Sequence, residues 1–140
     1  MRLNVTFKTD WEFDESKHPV GEEVAEKLSK LMSDNGIVIS NIDNYEDFAW
    51  ALDTRVGEKE LFLLLGHVGD DPEQWLIQVA SYQTKFLHMF NKKHAIAQMR
   101  SLAPKVNAVL TACEKISNIL WHHGDFADGT PSSVPNHDIQ

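Results

Sequence analysis

Cysteine is nearly absent from this chain, with Cys113 standing alone among 140 residues. No intrachain disulfide can form, no zinc site can be built from paired thiolates, and a reducing compartment fits best. Long apolar runs are missing too: Leu61 to Leu65 is typical of what is there, against the ~20 residues that span a bilayer. No membrane segment is expected. The first residues, Met1-Arg2-Leu3-Asn4, do not open a basic region followed by an apolar one, so the expected location is the cytoplasm.

Phosphate-binding glycine loops are also lacking. Gly57, Gly66 and Gly69 stand at strand ends and turns and form neither G-x-G-x-x-G nor G-x-x-x-x-G-K-[ST]. Neither the G-x-S-x-G elbow nor S-x-x-K occurs, and Cys113 lies among apolar residues rather than in a reactive setting. Positive charge is scarce. Thirteen Lys and Arg face 21 Asp and Glu, a formal charge of −8, which repels nucleic acids and anionic membranes and favours basic partners. Lys92-Lys93 and Arg100 are too sparse for a phosphate-binding patch.

What is present is ordinary globular material: 42% hydrophobic and 24% charged residues, enough for one core. Leu3 to Phe13 alternates, with Leu3, Val5, Phe7, Trp11 and Phe13 on one side and Asn4, Thr6, Lys8, Asp10 and Glu12 on the other. That is the period of a strand with one wet face. Pro19, the acids Glu22 and Glu23, apolar Val20, Val24, Leu28, Leu31 and Met32, and the closing Asn35-Gly36 predict a helix over 19–34.

Further strands are expected at Ile37–Ile42, at Phe48–Val56 and at Leu61–Leu65, the last central because it is apolar without alternation. Gly69-Asp70-Asp71-Pro72 reads as a loop, Gln74–Tyr82 as a strand, and 92–115 as a helix bent or split at Pro104. A short strand, Ile119–Trp121, follows. Residues 1–126 then form a single domain and 127–140 a flexible tail. The order strand, helix, four strands, helix, strand predicts an α+β two-layer sandwich, its sheet mainly antiparallel and both helices on one face.

Several groups invite a chemical reading. His123 and Asp125, two apart, can share an ion if His67 supplies a third ligand, whereas His122 points away from His123 in an extended segment. Plain edge-strand histidines explain the same residues. His67 beside Asp70 and Asp71 resembles a general base without a nucleophile. Asp10, Glu12 and Asp14 form an acidic row suited to a basic surface, or simply to water; their spacing is not that of an EF-hand.

Trp11, Trp50 and Trp75 fall on the apolar phase of their strands and belong to the core, while Trp121 can serve the core or a surface. The apolar connection carrying Phe86, Leu87, Met89 and Phe90 is either a lid or a docking surface. The expectation is a small acidic protein-interaction domain, in the size and charge class of immunity proteins and secretion chaperones, that binds a protein partner of basic character. No cofactor, nucleic acid or membrane is expected. A metal-dependent hydrolase using His67, His123 and Asp125 is the alternative, and a homodimer assembled through the 86–90 connection is a third.

Overall fold

The computed structural model describes residues 2–70, 73–81, 89–123 and 131–135, with the side chains of 70 and 89–94 left aside. Eight elements follow one another: β1 (Asn4–Thr9), α1 (Glu22–Asp34), β2 (Asn41–Tyr45), β3 (Ala49–Val56), β4 (Lys59–Asp70), β5 (Glu73–Ser81), α2 (Met89–Ala112) and β6 (Ile116–His122). The strands form one sheet in the order β2-β3-β4-β5-β1-β6, and every pairing in it is antiparallel. Both helices pack on it, α1 toward β2 and β3, α2 toward β4, β5 and β6. The fold is the predicted α+β two-layer arrangement.

Cross-strand register explains which side chains enter the core. Trp50, Leu65, Ile77, Val5 and Trp121 occupy one row running across five strands, and the period of two puts the neighbouring alternate residues on the same face. There Leu61, Leu63, Val79, Phe7 and Trp75 meet Leu28 and Met32 of α1 and Leu102, Val106 and Leu110 of α2 in one cluster. Trp75 and Trp121 are fully buried, and Trp11 and Trp50 pack against the cluster while partly exposed. The tryptophan assignment therefore holds for Trp11, Trp50 and Trp75, and Trp121 joins them.

The helix predicted from Pro19 begins instead at Glu22. Gly21 takes φ 104°, a left-handed value that no helix continues through. A Cβ there would stand 2.5 Å from Trp75 Cζ3, so backbone and indole are in direct contact. Pro104 leaves α2 one continuous element. The first strand is shorter than its alternation implied and ends at Thr9. Its expected wet face is dry at Asn4 and Thr6, which are 4% and 9% exposed, because β1 lies inside the sheet and His122 Nε2 is 2.8 Å from Thr6 Oγ1.

Ile37–Ile42 overlaps the second strand only at Asn41 and Ile42. The Ile37 N–H donates to Met32 O and the Ile39 N–H to Ser33 Oγ, which ties the start of this run to the end of α1, and main-chain bonding to β3 begins with the Ser40 N–H on Asp53 O at 2.9 Å. Phe48, expected on the core side of β3, sits in the turn before it and is 60% exposed. Of the expected Gly69–Pro72 loop, Gly69 is a bulge, φ 78°, within a strand that continues to Asp70, and Asp71 and Pro72 lie outside the described residues.

Candidate functional site

The antiparallel order sends the chain to two ends of the sheet. At one lie the segment from β1 to α1, the β2–β3 turn, the β4–β5 hairpin and the entry to β6. Residues 10–23 bring six acids there, the β2–β3 turn brings Glu46 and Asp47, the hairpin brings Asp70 and Glu73, and Glu114 precedes β6. Eleven acids of the described residues thus share one end, against Lys17 and Lys115 in the same segments. Charge that looks scattered along the sequence is polarised by the topology.

Part of this charge is organised locally. Asp14 Oδ1 accepts bonds from the Ser16 N–H at 2.9 Å and Ser16 Oγ at 2.6 Å, and these hold its carboxyl below the usual range. Glu23, at the positive end of α1, is lowered chiefly by its own backbone amide. Its Oε2 also accepts the Asp14 N–H at 3.2 Å. Lys17 lies 3.2 Å from Glu22 and 3.3 Å from Glu23, contacts that raise its pKa. The expected row of Asp10, Glu12 and Asp14 is exposed, but it belongs to a loop beyond Thr9 rather than to a strand face.

A cleft of about 370 Å³ opens at this end, lined by His18, Pro19, Val20, Asp47, Phe48 and His67. Behind its His67 stands an aromatic cluster. The His67 ring lies 4.8 Å from that of Trp75 and 5.6 Å from that of Phe13, and Phe13 meets Trp75 edge-on at 5.0 Å. His67 Nε2 is 3.7 Å from Glu73 Oε2, beyond hydrogen-bond length. The Trp50 Nε1–H donates to Pro19 O at 3.2 Å and fixes one wall.

The opposite wall is the turn Tyr45–Phe48, closed by the Phe48 N–H on Tyr45 O. Glu46 and Asp47 take φ 51° and 62°, the left-handed pair that such hairpins normally fill with Asn-Gly. Asn44 compensates: its Nδ2 donates to Asp47 Oδ1 at 3.0 Å, and its Oδ1 accepts the Asp47 N–H at 2.9 Å. The turn delivers an exposed phenyl ring beside two carboxylates. Among the cleft's described lining residues, the Asp47 carboxylate and the exposed Phe48 ring stand side by side, a pair that can hold a cationic, partly apolar group.

The structure does not bring the expected metal ligands together. His67 lies in the row of Trp75 and Phe7, His122 in the row of Asn4, Gln78 and Leu64. His123 follows His122, so three strand spacings, roughly 14 Å of sheet width, separate it from His67. Asp125 lies outside the described residues, among which no group of three or more His, Cys, Asp or Glu is placed to hold an ion. Burial, and then the Arg2 guanidinium, lower the pKa of His122.

Of the expected interaction residues, Phe86 and Leu87 lie outside the described residues, as do the side chains of Met89 and Phe90 at the start of α2. Trp121 is fully buried, and its Nε1–H donates to Asn107 Oδ1 at 2.8 Å, so its indole fastens α2 to the sheet instead of meeting a partner. Sequence reasoning missed Phe48. Asn44 and Asp47, three apart between two alternating runs, are the pattern that marks the turn placing it. No protein-family model matches the chain, and no match was found among curated proteins or solved structures.

Proposed function

We propose that this chain is a protein-interaction domain, acting in the cytoplasm, that takes a basic region of another protein at the acidic end of its sheet. Its role is of the neutralising or escorting kind. The observation that carries this reading is the gathering of eleven acids of the described residues at one end of the sheet, where a cleft lined by Asp47 holds the exposed Phe48 at its rim. Carboxylates steer and orient a cationic segment, while an apolar ring gives it a desolvated contact.

The test compares the two ends of the sheet. A synthetic peptide rich in arginine and lysine, titrated by calorimetry at about 50 and about 300 mM salt, is expected to bind more weakly at the higher salt. Glu46→Lys combined with Asp47→Lys is expected to weaken binding by about tenfold or more. Asp34→Lys with Glu58→Lys, at the far end, weakens it by less than about threefold. Equal losses from both pairs, or no binding by the unaltered protein, overturn the reading.

A further inference from the structure

The two edges of the sheet differ. At β6 the outward main chain of Trp121 is occupied: the Trp121 N–H donates to Ser132 O, and the Ser132 N–H to Trp121 O at 2.9 Å. At the other edge β2 pairs only with β3 among the described strands. Which of its residues point outward follows from the ladder phase. Val56 and Lys59 flank a two-residue turn and form a hydrogen-bonded pair, so the even residues of β3 bond β4 and the odd ones bond β2. Asn41, Asp43 and Tyr45 therefore face inward to Asp53, Ala51 and Ala49. Ile42 and Asn44 direct their N–H and C=O groups outward. The same phase, carried across the sheet, requires the Val79–Leu3 and Trp121–Ser132 bonds that are present.

Side chains frame this edge. Val38 and Phe48, at 66% and 60%, are the most exposed large hydrophobic residues of the described chain, and they bracket β2 on either side. Asn41, Asp43 and Asn44 are exposed between them. No Lys or Arg occurs between Lys30 and Arg55, whereas Asp43, Glu46 and Asp47 lie on or beside the strand.

We propose that β2 is a docking edge for an extended, basic segment of a partner protein, which adds as a further strand by bonding Ile42 and Asn44 and rests apolar side chains on Val38 and Phe48. The inference specifies the mode of the basic-partner reading above and rests on it. Charge selects the occupant. Two copies paired antiparallel through β2, Ile42 of each bonding Asn44 of the other, would set Asp43 directly opposite Asp43, and like charges across a strand pair oppose pairing. A cationic strand meets the reverse.

The test uses the whole chain and a synthetic peptide alternating arginine with valine. Amide exchange followed by NMR is expected to slow about tenfold or more at Ile42 and Asn44 when the peptide is added, with little change at Asp43, whose amide is already in the ladder. Val38→Ser and Phe48→Ser, at exposed positions, are each expected to weaken binding by roughly three- to tenfold. If the peptide binds and Glu46→Lys with Asp47→Lys weakens it, yet Ile42 and Asn44 stay unprotected, the edge inference fails and the basic-partner reading stands. If the peptide does not bind, both fail. A peptide-free dimer in light scattering that protects the same two amides overturns the choice of occupant.

Discussion

The β6 edge and the β2 edge show two treatments of one problem, an outermost strand with unused backbone groups. At β6 the chain supplies its own cover: Ser132 bridges Trp121, and Pro135 O accepts the Arg2 N–H at 2.8 Å. Part of the segment expected as a tail is thereby docked. The strand beneath is apolar, with Trp121 fully buried and Ile116 7% exposed. At β2 no comparable cover occurs among the described residues, and the strand is short, polar and acidic. The lesson is that charge permits an edge to stay open without inviting copies of itself.

Substitutions sharpen the contrast. Trp121→Ala has the largest expected effect, a loss of about 3–5 kcal/mol in urea unfolding, because a fully buried indole and its bond to Asn107 both go. Ser132→Pro is next, at about 1 kcal/mol, since it deletes the donor to Trp121 O. Phe48→Ser and Val38→Ser, on the open edge, change stability by no more than about 0.5 kcal/mol. Losses as large as those at the β6 edge would show that β2 is a structural element and not a surface held ready.

The smallest effect is a pH dependence. Burial and Arg2 depress the pKa of folded His122 below its usual 6.5, so the unfolded chain binds the proton more readily. The stability linked to His122 is then fully present above pH 6.5 and is lost as pH falls from there through the folded pKa. His122→Gln is expected to flatten the slope of stability in that window, as followed by thermal melts across the range. An unchanged slope would place the titration elsewhere.

Much of the architecture could be read from residue order, and the failures have physical causes. The i/i+4 pattern of Val24, Leu28 and Met32 located α1 because one face of it is completely buried. Alternation located β1 and β3, and an unbroken apolar run located β4. β2 escaped because an edge strand with exposed Asn41, Asp43 and Asn44 has no dry face to impose a period, while the nearby β-branched run Ile37–Ile42 has the right composition and the wrong neighbours. The site was only half legible. Acids could be counted, but their assembly at one end depends on strand order, which brings residues 10–23, 46–47 and 70–73 together. The metal reading meets the same obstacle among the described residues: His67 and His123 each look suitable, yet register sets them strands apart.

The bridge between Trp121 and Ser132 has a consequence for assembly. A sheet with both margins uncovered can accept the β2 of one molecule on the β6 of the next, a head-to-tail contact that repeats without end unless its rotation happens to close a ring. Ser132 stands in the way of that series: it already holds the outward N–H and C=O of Trp121, so a strand arriving at β6 must displace residues 131–135 or stop short of Trp121.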